Sequence, residues 1–214
     1  MTTIGTEDLQ ALFARLAEAM AHEKDRLCAL DGVIGDADHG IAMELGFAAA
    51  AKAVSELDPA TADPTAVFNT AAKSFLNAVG ASSGPLYATA LMRAGAVAKG
   101  KTSLSEDDMV DIMTAFAKGI QDRGKAEVGE KTMVDAWAPA AAACRDARDR
   151  GLPLADCLAA GLAAAEAGAE ATKAMIATKG RSSRLGDRAL GHMDPGAASA
   201  VVVISCFKSH FAFE

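Results

Sequence analysis

The sequence predicts an all-α fold of eight helices packed in sequential antiparallel order. Three observations predict it. Hydrophobic residues make up 51% of the chain but aromatics only 5%, so the core has to be assembled largely from Ala, Leu, Val and Met on closely approaching elements, which favours helices. Apolar residues recur at spacings of three and four along most of the chain, the period of one helix face. The breaks between these stretches are short and rich in Gly, Pro and Asp, and short connections make successive helices antiparallel. A chain of 214 residues fits one domain, 1–214, because two would each be small.

The first helix is predicted over 6–29, with Thr6 as N-cap and Leu9, Leu12, Phe13, Leu16 and Met20 on one face. The stretch 31–40 holds three aspartates and three glycines without a helical period, so it reads as a structured turn. A second helix follows to about 57, and Pro59 and Pro64 mark the loop after it. The third helix spans 65–79 and is broken by Gly80-Ala-Ser-Ser-Gly-Pro85. Pro85 suits the first position of a fourth helix, to 99, where its missing N–H costs nothing. Ser105 and Asp108 resemble a capping box opening a fifth helix, to 122. The sixth is expected over 132–150, and Gly151-Leu-Pro153 separates it from a seventh ending near 178. A polar, basic loop follows, and Asp194-Pro-Gly196 opens the last element. Its run of Val201, Val202, Val203 and Ile204 would suit a strand, but a lone strand has no partner, so a buried eighth helix is expected.

The formal net charge of −7 argues against a nucleic-acid binder, which needs a basic face to replace phosphate counterions. An acidic protein that binds phosphates must bring in positive charge, and divalent metal ions are a ready source. Cys28, Cys144, Cys157 and Cys206 show neither a C-x-x-C pair nor zinc spacing and read as buried thiols in a reducing cytoplasm. The first ten residues carry Glu7 and Asp8 and no apolar h-region, and no stretch has the length of a membrane span. A soluble, cytoplasmic protein with no membrane contact is expected.

In an antiparallel array the loops after helices one, three, five and seven come to the same end, and these four have the unusual chemistry. The first offers Asp31, Asp36 and Asp38, three carboxylates close enough to repel one another unless a cation neutralises them. Mg²⁺ suits such a site where phosphate supplies further oxygens. An exposed acidic turn is the plain alternative, while an EF-hand is excluded because Phe47 stands where its final Glu should be. His39 and Gly40 begin a helix whose N–H groups suit a phosphate, although a histidine so placed is often only structural. Gly80 to Pro85 combines small residues, hydroxyls and a helix start, a suitable phosphate cradle that alone also reads as an ordinary turn. The loops containing Arg123 and Arg181 carry positive charge, and the Arg181 fork fits a phosphate. Gly95-Ala-Val-Ala-Lys-Gly-Lys-Thr102 matches the P-loop pattern, but it ends a helical stretch and follows no strand, so it is a coincidence of letters.

Taken together, Ile34-Gly-Asp-Ala-Asp-His-Gly40, Gly80-Ala-Ser-Ser-Gly-Pro-Leu86, Arg123 to Met133 with Asp135 and Trp137, and Gly180-Arg-Ser-Ser-Arg-Leu-Gly186 through Gly191-His-Met-Asp-Pro-Gly-Ala197 resemble the L subunit of dihydroxyacetone kinase, in the same order and across nearly the full chain. The resemblance implies a barrel of eight antiparallel helices with a nucleotide, ADP or ATP, at one rim. It implies that Asp31, Asp36 and Asp38 ligate two Mg²⁺ ions and are the catalytic residues. It also implies that His39, Gly40, Ile41 and Ala42 lie along the nucleotide, that Ser82 and Ser83 lie beside its phosphates, and that Gly124, Met133, Arg181, Asp194, Pro195 and Gly196 complete the contacts. In that family a separate K subunit holds the ketose, and bound ADP can be recharged by a phosphotransferase M-type partner. A homodimer is left open. Gly80-Ala-Ser-Ser-Gly-Pro85 departs from the common Gly-Gly-Ala-Ser-Gly-Pro, and Ala42 and Ala198 stand where Asn and Thr are common. These departures bear on nucleotide affinity and exchange rate. Alternatives are an ATP-exchanging subunit of an erythrulose-type kinase, a nucleotide-sensing regulatory module, and a structural metal protein.

Overall fold

Eight α-helices follow one another in the computed structural model, which describes residues 3–211: α1 (Thr6–Ile34), α2 (His39–Ser55), α3 (Pro64–Ala78), α4 (Ser83–Val97), α5 (Glu106–Gly124), α6 (Val134–Asp149), α7 (Leu154–Ala171) and α8 (Pro195–Phe211). Each packs against its neighbour in sequence and α8 returns to α1, so the antiparallel array closes into a barrel. The closure is sealed far from the loops of interest by His210, whose Nε2 lies 2.9 Å from the Asp8 carbonyl oxygen. Of the ten Phe, Tyr and Trp residues in the chain, all but Phe213 fall within the described residues, and every one of these is buried. Phe47, Phe75 and Tyr87 meet as one group, with ring centroids 5.1 to 5.6 Å apart, while Phe116 stacks on Trp137 at 5.3 Å. Alanine lets the helices approach, and these few rings fill what alanine leaves open.

Helix starts follow local chemistry. Asp63 accepts from the Ala66 N–H at 2.7 Å with Pro64 inside the first turn. The expected box on α5 is formed in both directions, with Ser105 Oγ accepting from Asp108 N–H and the Asp108 carboxylate accepting from Ser105 N–H. The α8 segment is helical despite its β-branched run, because it lies in the barrel wall where helices are its neighbours.

Two starts and two ends differ from expectation. Gly5, not Thr6, is the N-cap of α1, and α4 begins at Ser83, so Pro85 stands third in it, still within the first turn where its missing N–H costs nothing. α1 continues to Ile34 instead of ending near 29, so Asp31 sits in the last turn of a helix and not in the turn after it. The extension is held where the Gly35 N–H donates to the Asp31 carbonyl oxygen. α7 stops at Ala171 instead of reaching 178; a short 3₁₀ turn, Thr172–Ala174, follows, and Thr172 donates its hydroxyl to the Ala169 carbonyl. Cys144, Cys157 and Cys206 are buried and Cys28 only partly so, all as free thiols. Among the described residues no helix is long and apolar enough to cross a membrane. The P-loop-like letters fall at the end of α4 and in the turn after it, where Lys101 is ion-paired with Asp108 of α5.

Candidate nucleotide and metal site

The four odd-numbered connections do converge. They surround a cavity of about 660 Å³ at one end of the barrel, within the usual range for small-molecule sites. Its apolar lining includes Ile34, Leu86, Ile120, Met133 and Val134, and its polar lining includes Asp31, Asp36, Asp38, Ser82, Ser83 and Arg181.

Asp31 is placed by α1 and is buried. Its Oδ2 accepts from the N–H groups of Asp38 at 3.0 Å and His39 at 3.2 Å, so one carboxylate oxygen caps α2. Its Oδ1 is kept accessible by Gly35, where an added Cβ would lie 2.1 Å from that oxygen. Asp36 and Asp38, both exposed, complete a cluster in which one oxygen from each of the three carboxylates lies within 4.8 Å of the others. This is an all-oxygen donor set of the kind hard divalent cations take. Arg181, from the α7–α8 connection, is ion-paired with Asp36 and lies 3.7 Å from Asp38. The acidic loop and a basic loop more than a hundred residues later therefore meet across the cavity mouth.

His39 Nε2 lies 2.9 Å from Ser199 Oγ, and Ser199 donates its own hydrogen to the Gly196 carbonyl at 2.9 Å. Ser199 can then only accept from the imidazole, which assigns the proton to Nε2 and leaves Nδ1 as an acceptor. Burial pushes the His39 pKa down, with nearby Asp31 opposing the shift, so the ring is held neutral. Across the cavity, Ser83 lies in the first turn of α4 and its buried hydroxyl has no hydrogen-bonding partner. A buried polar atom without a partner beside a helix N-terminus is suited to an anionic oxygen. At the start of α8, Asp194 accepts from the Ala197 N–H at 2.7 Å, and burial pushes its carboxyl up to about 7.

Of the residues named from the sequence, Asp31, Asp36, Asp38, His39, Ala42, Ser82, Ser83, Gly124, Met133, Arg181, Asp194, Pro195 and Gly196 line this cavity. Gly40 and Ile41 do not. Gly40 is buried against α1, where an added Cβ would lie 2.0 Å from the Lys24 carbonyl oxygen, and the Ile41 side chain is 47% exposed. Sequence reasoning passed over Lys131, Thr132 and Lys179, which also line the wall. Lys131 is 1% exposed, and nothing in its spacing distinguishes it from the solvated lysines nearby.

The class defined here is a closed barrel of eight helices whose acidic, hydroxyl and basic loops meet around a cavity at one end. The chain belongs to the DAK2 domain family, whose match covers residues 33–209. It is 39% identical over 183 residues to the ADP-binding subunit DhaL of PEP-dependent dihydroxyacetone kinase 2 from Listeria innocua, covering 86% of this chain and 84% of that one. It is 38% identical over 192 residues to the corresponding Escherichia coli subunit, covering 89% and 90%. These relatives are named as kinase subunits. The fold matches that of the dihydroxyacetone kinase from C. freundii solved with AMP-PNP and Mg²⁺, with a TM-score of 0.74 at 22% identity, over 98% of this chain and 35% of that one.

Proposed function

We propose that this chain is the phosphoryl-donor subunit of a dihydroxyacetone kinase, holding ADP or ATP through two Mg²⁺ ions and acting on a ketose bound by a separate K-type subunit. The observation that carries this reading is the meeting of Asp31, Asp36 and Asp38 with Arg181 and the unpartnered Ser83 hydroxyl around one cavity. Relatives that this chain matches over most of both lengths are named as ADP-binding subunits of PEP-dependent kinases. That supports recharging of bound ADP by a phosphotransferase M-type partner, and the four free thiols suit a reducing cytoplasm. The single apolar cluster drawing on all eight helices supports reading 1–214 as one nucleotide-binding domain.

In this reading Asp31, Asp36 and Asp38 hold the metal ions, which supply charge neutralisation to the phosphates when bound. Ser82 and Ser83 hydrogen-bond phosphate oxygens at the α4 N-terminus, and of the first turn of α2 it is Ala42, not Gly40 or Ile41, that faces the nucleotide. Arg181, paired with Asp36 in this structure, would offer its forked donors to phosphate oxygens when the carboxylates hold cations. Ile34, Leu86, Ile120 and Met133 give the base an apolar wall, with His39, Gly124, Asp194, Pro195 and Gly196 along its edges. The reaction is phosphoryl transfer governed by positioning and charge, and the ketose chemistry belongs to the K subunit.

The test is the mass and absorbance of nucleotide released on denaturing purified protein, with and without prior chelation. ADP retained through dialysis and lost with chelator is expected. Binding of ATP only on addition of Mg²⁺ would instead favour an exchanging kinase subunit, and no nucleotide binding under either condition would overturn the donor reading.

A further inference from the structure

The segment 172–194 leaves α7, carries Lys179 and Arg181 to the cavity mouth, and returns to α8. Its two ends meet at one side chain. Lys131 Nζ donates to the Thr172 carbonyl at 2.6 Å and to the His192 carbonyl at 2.5 Å. Two further bonds close the same base: Asp194 N–H donates to Thr172 Oγ1 at 2.9 Å, and Gly191 N–H to the Lys173 carbonyl at 2.7 Å. Lys131 belongs to a different connection, α5–α6, and is itself held in place there. The carboxylate of Asp135 accepts from Gly129 N–H at 2.5 Å and Thr132 N–H at 2.7 Å, on either side of it. The Lys131 backbone takes a left-handed φ of 58°, which a non-glycine residue keeps only where its surroundings hold it.

We propose that Lys131 is a positioning residue: it staples both ends of segment 172–194 to the α5–α6 connection, and so sets where Arg181 stands over the acidic cluster. An ammonium on a residue buried to 1% exposure is disfavoured unless hydrogen bonds and opposite charge compensate it. Here the two carbonyls and the nearby carboxylates of Asp194 and Asp135 supply the compensation. A methionine of similar length would fill the space and hold neither end. Between its pinned ends the segment is tied to the same connection once more, where the Thr178 N–H and hydroxyl donate to Glu130 and Lys179 pairs with the Glu130 carboxylate, so the stretch leading to Arg181 is kept in register with the barrel.

The consequence for ligand binding rests on the donor-subunit reading; the staple itself does not. The experiment is amide hydrogen exchange on the whole chain and on Lys131→Met, with nucleotide titration and Mn²⁺ titration of the nucleotide-free protein alongside. In the wild type, Gly191 and Asp194 amides should exchange as slowly as those within α8, while 181–188 exchange fast. In Lys131→Met, protection of Gly191 and Asp194 should fall by about tenfold or more, with α1–α5 unchanged. Nucleotide affinity should fall by about tenfold, without weakening of Mn²⁺ binding, whereas a general loosening of the fold would weaken both. Fast exchange at Gly191 and Asp194 in the wild type overturns the staple, and this measurement decides even if Lys131→Met does not fold. Unchanged protection in a folded Lys131→Met overturns it as well. A wild type that binds no nucleotide overturns the donor reading, while the exchange data still judge the staple.

Discussion

Asp31 shows how one side chain serves two ends. One oxygen caps α2 through the Asp38 and His39 N–H groups, and the other is kept open by Gly35. Replacing Asp31 with Asn keeps an oxygen acceptor for the cap but removes the charge, so folding should survive with a loss of about 1 kcal/mol, while Mg²⁺-dependent nucleotide binding is lost. Gly35→Ala should give the same loss of binding from the other side, because the new methyl meets Asp31 Oδ1. Isothermal titration with and without Mg²⁺, beside thermal unfolding, checks both; normal Mg²⁺ dependence in either variant would count against the assignment. The three aspartates were legible as a cluster because their spacing is local. That Asp31 is buried on a helix while Asp36 and Asp38 are exposed was not, since a D-x₄-D-x-D string says nothing about where the preceding helix stops.

At the scale of elements, the close approach of α1 and α2 depends on Gly40. An added Cβ would meet the Lys24 carbonyl oxygen at 2.0 Å and Cys28 Sγ at 2.8 Å, backbone and neighbouring side chain of the facing helix. Gly40→Ala should therefore destabilise the protein by about 1–3 kcal/mol, the range for overpacking a filled core, as read by urea unfolding. Unchanged stability would mean that α2 can shift without cost. This also explains a difference between reading and structure. A glycine after His39 resembles a phosphate-binding helix start, yet its Cα faces α1 and not the cavity, an orientation set by how the two helices pack. Helix identities and caps were readable because they depend on neighbours three or four residues away, as at Ser105 and Asp108 or Asp63 and Ala66. The end of α7 was not, because Thr172 is claimed by Lys131 and Asp194, both distant in sequence.

For the whole molecule, the buried wall beside α8 couples stability to pH. Burial is the main cause that raises Asp194 to about 7; the Ala197 N–H and Lys131 pull it back, and Asp135 and Asp31 push it up. An unfolded aspartate titrates near about 3.9. With the folded value above the unfolded one, this group's contribution is full below pH about 4 and is lost as pH rises through about 7. Asp194→Asn removes the ionisation, so its stability relative to the wild type should improve steadily from pH 4 to pH 8 in metal-free, nucleotide-free buffer. Urea unfolding at several pH values measures this, and a difference independent of pH would reject it. His39 acts in the opposite sense: its lowered pKa means stability is lost as pH falls below the ordinary imidazole range.

The sequence by itself determined the all-α class, the number and order of the helices and which four connections meet around the cavity, because periodicity, caps and turn residues act over a few positions. The alternation of short loops was enough to send those four connections to one end. Only the tertiary structure decided how Arg181 meets Asp36, which oxygen of Asp31 is spent on a helix cap, that Gly40 serves packing, and that Lys131 gathers the ends of a distant segment. Each of those depends on burial and on groups brought together from far along the chain, and burial is a property of the closed barrel that no short stretch of residues contains.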